Sequence, residues 1–144
     1  MQRAAGQNLD LDGLSLSAIL MLARDPNEAA FVWSLVNDVM KGDLWLWHEN
    51  DFNHAVQVLS HCRFRLILLD STFGKRLSVR ALVRRIQAAA GDTPIILRLP
   101  PEGLPPDPDP RLYGVAGVVR MGTGTPTIRA IQRLLALPSR PHQR

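Results

Sequence analysis

The stretch FRLILLD, residues 64–70, followed by Ser71-Thr72-Phe73-Gly74-Lys75, is the one on which the fold turns. Leu66, Ile67, Leu68 and Leu69 are unbroken apolar residues, with Phe64 just ahead. An apolar run of strand length without alternation fits a strand buried on both faces, which is the middle of a parallel sheet. The run stops on a carboxylate, Asp70. In an open α/β sheet, ligands and chemistry gather at the carboxyl ends of the strands, so Asp70 sits where a functional acid would stand. The competing reading is an inert acid that closes a strand or caps a helix.

Working outward, the same logic predicts strands over 17–23, 44–48, 94–99 and 115–120. Before 64–70 lie two helices. The first, over about 27–40, is capped by Asp25 with Pro26 as its first residue, and Ala30, Phe31, Leu35, Val36 and Val39 are read as its inward stripe. Lys41 and Gly42 end it. The second, 52–61, is capped by Asn50 or Asp51, with Phe52, Ala55, Val56 and Leu59 inward. After 64–70 comes a helix over 77–90. Leu77, Leu82, Val83 and Ile86 face in, and Arg76, Arg80 and Arg84 recur every fourth residue on the outside. Gly91 and Asp92 stop it.

Residues 100–110 hold six prolines. Proline removes amide donors and fixes φ, so an extended loop is expected to cross the sheet face here instead of a helix. Gly122-Thr123-Gly124 makes a turn before the last helix, which runs to about 137 and buries Ile128, Ile131, Leu134 and Leu135. Trp45 and Trp47 are expected on opposite faces of the sheet. Strands alternate with helical crossovers, which gives five parallel strands with helices on both faces. The sequence divides into a lead-in over 1–15, one domain over 16–138, and a tail over 139–144 that reads as the start of a linker.

The totals agree with one domain. The chain has 144 residues, 46% of them apolar, enough to bury a core. Its single cysteine, Cys62, excludes an internal disulfide and suits a reducing compartment. The apolar run near the start is too short to span a membrane, and acidic Asp10 and Asp12 precede it, unlike a signal peptide. A cytoplasmic protein is expected. Net charge is +4, yet the arginines are spread along the chain, so solvated helix faces are favoured over a nucleic-acid site. His48, His54, His61 and His142 show no metal-ligand spacing with Cys62. Gly122-Thr-Gly-Thr-Pro126 is not a phosphate loop, because it lacks the Gly-Lys-Ser/Thr ending.

With these elements in place, the chain resembles the receiver domain of two-component response regulators, over roughly 18–137. LILLD stands where the family has its phosphoacceptor strand. Ala18-Ile-Leu-Met-Leu-Ala-Arg-Asp25-Pro26 resembles the first strand with its acidic cluster, His48-Glu49-Asn50-Asp51 with Ala55-Val56 the second strand and helix, and Pro94-Ile95-Ile96 the fourth strand. The resemblance implies the flavodoxin-like strand order 2-1-3-4-5 and makes Asp70 the phosphoacceptor position. It also implies departures. Ala23, Arg24 and Asp25 stand at the acidic cluster that holds Mg²⁺ in the family. The Ser or Thr after the fourth strand falls on Leu99, and the Lys after the fifth on Arg120. The proline-rich loop takes the place of the fourth helix.

Mg²⁺ needs oxygen ligands, and a phosphoaspartate needs a cation and a hydroxyl beside it. With these substitutions the resemblance implies a degenerate, or pseudo-, receiver, in which an ion pair from Asp70 to Arg120 or Arg24 mimics a fixed state. The function expected is non-catalytic: a signalling and protein-interaction module, with no cofactor and no metal. It would bind a protein partner or a second copy of itself, with a covalently linked output domain such as a cyclic-di-GMP turnover domain. Arg76, Arg80 and Arg84, the proline-rich loop and the last helix are the candidate surfaces. One alternative is a working receiver phosphorylated on Asp70 by a histidine kinase, with Mg²⁺ bound. Another is a small-ligand or nucleotide site at the carboxyl edge of the sheet, using Arg24, Arg98, Arg120 and the turn over 122–125.

Overall fold

The computed structural model describes residues 14–15, 18–40, 44–102, 108–122 and 124–139. The lead-in over 1–13, the helix stop at Lys41 and Gly42, the middle of the proline-rich stretch, Thr123 and the tail from 140, with His142, lie outside them. The elements in chain order are β1 (Leu14–Ser15), β2 (Ala18–Leu22), α1 (Pro26–Met40), β3 (Trp45–Glu49), α2 (Phe52–His61), β4 (Cys62–Arg63), β5 (Leu66–Asp70), α3 (Val79–Ala90), β6 (Ile95–Leu99), a 3₁₀ turn (Pro110–Leu112), β7 (Gly117–Arg120) and α4 (Thr125–Ser139).

The main sheet runs β3-β2-β5-β6-β7, all parallel. Counting only these five strands, the order is 2-1-3-4-5, as expected from the flavodoxin-like class. A second, two-stranded piece was not expected: Leu14 and Ser15, read as part of the lead-in, pair in parallel with Cys62 and Arg63. Two-residue strands carry no periodicity, so the sequence offered no signal for them.

β5 lies between β2 and β6, and all five of its residues are buried. Successive side chains leave it on opposite faces. Leu66 and Leu68 join Ile19, Met21 and Ile96 under α1 and α4, whose Ala29, Val32, Val36, Ile128 and Ile131 complete that layer. Ile67 and Leu69 join Leu20, Leu22 and Leu97 under α2 and α3, where Ala55, Leu59, Leu82, Val83 and Ile86 close the core. The segment after the proline-rich stretch meets this second layer: Tyr113 and Val115 pack against it, and Gln87 on α3 donates a 2.7 Å hydrogen bond to the Gly114 carbonyl.

Several local readings change. The buried line of α1 is Ala29, Val32 and Val36; Phe31 and Val39 are exposed and Leu35 is half-buried. Both stripes have helical spacing, and the choice between them is made by which residues lie against Ile19 and Met21. Trp45 and Trp47 share one face, with ring centroids 6.0 Å apart. Residues two apart in a strand must do so. The helix α2 is capped by Asp51, whose carboxylate accepts from the His54 amide at 2.9 Å. α3 starts after its cap, Ser78, so Arg76 precedes the helix, and only Arg80 and Arg84 ride on it. No helix among the described residues is long and apolar enough to cross a membrane.

Candidate functional site

Asp70 ends β5 on the α1/α4 side of the sheet, in step with Leu66 and Leu68. Its neighbour in register on β6 is Arg98. Residues opposite each other in a sheet point the same way, so the two side chains meet. Arg98 is fully buried, at 0% exposure, and Asp70 is at 2%. Nη1 of Arg98 donates to Oδ1 of Asp70 at 2.8 Å. Nη2 donates to Oε2 of Glu28, in the first turn of α1, at 2.6 Å. Nε donates to the hydroxyl of Thr127, in the first turn of α4, at 3.3 Å. One guanidinium therefore joins two strands and the N-termini of two helices. Arginine suits this because its donors spread in a rigid plane.

The electrostatics of Asp70 are set by depth. Its pKa is raised from 3.8 to about 6, because burial disfavours the anion; Arg98 pulls it back by charge and hydrogen bond, while Glu28 and Asp25 push it further up. Burial outweighs the ion pair, as it does when a charge leaves water with few partners.

The partner expected for Asp70 is thus corrected. The cation is Arg98, not Arg120 or Arg24. Arg24 is exposed. Arg120 stands in register with Leu99 on the next strand, so its side is that of Leu99, away from Asp70. Leu99 itself packs into the α2/α3 layer. It follows Asp70 in the aligned order of strand ends, but its parity turns it to the other face. The residue facing Asp70 is one earlier. Asp25 caps α1 as expected, accepting from the Asn27 amide at 2.9 Å.

The small-ligand reading loses one of its arginines, since all three donor nitrogens of Arg98 are engaged inside the protein. Arg76, Arg80 and Arg84 are exposed. Glu28 and Thr127 were not expected. A first-turn acid and a first-turn Thr have ordinary helical reasons to be there. The one signal available was Arg98, a charge inside the apolar run IILRL.

A second buried acid, Glu49, ends β3 on the opposite face. It accepts from the indole N–H of Trp47 at 2.8 Å, and Nδ1 of His54 lies 3.2 Å away. The ring of His48 meets the Ala23 carbonyl at 2.8 Å. Among the described residues, no three His, Cys, Asp or Glu side chains converge as a metal-binding set.

No family model matches the sequence, and no curated protein matches it. Solved structures do match its fold. The receiver domain of a sensor histidine kinase from Pseudomonas aeruginosa, solved with magnesium coordinated in its active-site cleft, superposes with a TM-score of 0.63 at 18% identity, over 83% of this chain and 97% of that one. The N-terminal domain of a response regulator/sensory box/GGDEF three-domain protein from Carboxydothermus hydrogenoformans gives 0.60 at 18% identity, over 86% and 98%. A response regulator from Burkholderia pseudomallei, with a phosphorylated aspartic acid, a calcium ion and citrate, gives 0.59 at 11% identity, over 88% and 73%. The chain has the fold of response regulator receiver domains.

Proposed function

We propose that this chain is a pseudo-receiver: a non-catalytic signalling domain that engages a protein partner, or a second copy of itself, without taking a phosphoryl group on Asp70. The observation that carries this reading is the Arg98 guanidinium, fully buried and hydrogen-bonded to both Asp70 and Glu28. Phosphorylation would bring a dianion against a carboxylate that already lies out of water. It calls for a divalent cation on carboxylate oxygens. The residues present do not fit one: Asp70 Oδ1 and Glu28 Oε2 already accept from a cation, Arg98, and Arg24 adds another positive charge at the acidic-cluster position. Leu99 faces the other layer and offers no hydroxyl. With the pair intact, the site is held in one state.

Signalling then rests on surface. Arg80 and Arg84 project from α3, with Arg76 just before it, all exposed. They suit an acidic partner. The domain plan supports a regulatory module at the start of a longer protein, since one neighbour in fold is the N-terminal domain of a three-domain protein. The linked domain proposed is of the cyclic-di-GMP turnover kind.

The test is thermal melting with beryllofluoride and Mg²⁺, for wild type and Asp70→Asn. Beryllofluoride mimics a phosphoryl group on an aspartate. No Asp70-dependent stabilisation is expected. A rise in Tm that Asp70→Asn abolishes would overturn the reading in favour of a working receiver.

A further inference from the structure

An arginine at 0% exposure is expensive to bury, and this one points at two helix N-termini, whose dipoles are positive. Packing does not demand it, because Ile96, two residues earlier on the same face, shows what the layer accepts. What demands a cation is the set of anions around it. Asp70 and Glu28 both present an oxygen to one guanidinium, at 2.8 and 2.6 Å. Asp25 acts on Asp70 from farther off. The carboxylates come from elements far apart in the chain, yet they converge on one point. The hydroxyl of Thr127, a third oxygen, lies 3.3 Å from Nε.

We propose that Arg98 is a built-in replacement for a divalent cation, and that removing it opens a two-carboxylate site on Asp70 and Glu28 for Mg²⁺ or Ca²⁺. The inference rests on the reading of Asp70 as a permanently paired acid and states what the pairing replaces. A tethered guanidinium supplies one positive charge at fixed position and cannot dissociate. Its fork holds α1 and α4 to the strand ends, which a bound ion would do only while present. Mg²⁺ is bound through one or two carboxylates plus waters, with metal–oxygen distances of roughly 2.0–2.1 Å, and Ca²⁺ through longer contacts of roughly 2.3–2.6 Å. Truncating the arginine leaves room for the waters.

The test is melting of wild type, Arg98→Ala and Arg98→Met, each in chelator and in millimolar MgCl₂ or CaCl₂. Wild type should move by less than about 1 °C, because its site is filled, and Arg98→Ala should gain about 5 °C or more once the ion exceeds its Kd well over tenfold. Adding Glu28→Gln to Arg98→Ala should remove that gain. Where Arg98→Ala is unfolded in chelator, the same property appears as recovery of its circular dichroism when metal is added. The inference is overturned if wild type gains as much as the variant. It is equally overturned if Arg98→Ala and Arg98→Met show neither a gain nor a recovery. These outcomes leave the proposed function standing as long as wild type ignores beryllofluoride, whereas an Asp70-dependent beryllofluoride response removes that function whatever the variants do.

Discussion

The two faces of the sheet finish differently at their carboxyl edge. Under α2 and α3, apolar packing runs to the ends of the central strands through Leu69, Leu97, Leu99 and Phe73, and the buried acid Glu49 stands at the end of the edge strand β3. Under α1 and α4, the same strands one residue out of phase end in Asp70 and Arg98. The first face gains from each buried side chain, about 1.5–3 kcal/mol for a Leu or Phe taken fully out of water. The second must set desolvation against Coulomb attraction and comes out near even. Both faces have an apolar layer, and at this edge the first extends its own. The other, through contacts to β5, α1 and α4, fixes where two helix ends sit.

This difference predicts opposite responses to substitution. Arg98→Ala should lose about 3–5 kcal/mol, because it strands two carboxylates rather than merely deleting a bond. Replacing the whole set, as Arg98→Met with Asp70→Leu and Glu28→Leu, should recover most of that loss. On the other face Leu82→Ala should cost about 2–5 kcal/mol, with no polar partner whose removal would restore it. Urea unfolding of the four proteins at constant slope measures all of this. A triple variant as unstable as Arg98→Ala would mean that the ion pairs are net stabilising and that the two faces do not differ in kind.

The apolar face was legible in the sequence, and most of the polar one was not. LILLD and IILRL announced buried parallel strands through continuous runs, and the β-α alternation then left few topologies. Asp51, one of the two candidate caps of α2, followed from local chemistry. The partner of Asp70 did not. Strand ends align Asp70 with Leu99, but facing is decided by register and parity, and register between parallel strands is not written in either strand alone. Glu28 lies 70 residues before Arg98 in sequence, a distance that no spacing rule covers. The same parity, properly applied, puts Trp45 and Trp47 on one face. The stripe of α1 could not be chosen before its neighbours were known, since Phe31, Leu35 and Val39 are as apolar as Ala29 and Val32.

A smaller effect is the pH dependence of the polar face. Asp70 has a folded pKa of about 6 against an ordinary 3.8. The folded state therefore holds its proton more tightly than the unfolded chain does. Its contribution to stability is greatest below about pH 4, declines as pH rises through about 6, and is constant above that. Wild type should thus gain Tm relative to Asp70→Asn on acidification across that window, and lose the gain on return to neutral pH. The apolar face supplies the control: Leu82→Ala should keep the wild-type pH profile at a lower Tm. A wild-type profile parallel to that of Asp70→Asn would mean that Arg98 offsets burial more fully than its neighbours Glu28 and Asp25 allow.

The smallest effect on stability is expected where arginines stand outside the apolar face. Between Asp70 and Asp92 the chain carries Lys75, Arg76, Arg80, Arg84 and Arg85 and no acid. Arg85 lies over the ring of Phe52, 6.0 Å from its centroid, so it is a poor subject for substitution. Arg80 and Arg84 are exposed on α3, one turn apart, and like charges at that spacing repel slightly. Arg80→Glu with Arg84→Glu should therefore leave stability within about 0.5 kcal/mol per site of wild type, read as an unchanged Tm. Set beside Arg98→Ala, this is one residue type in one domain with effects differing several-fold, and depth is the variable. A large fall in Tm for the surface pair would mean that their stems pack on the α2/α3 layer. In that case the arginines there would serve the fold and not a partner.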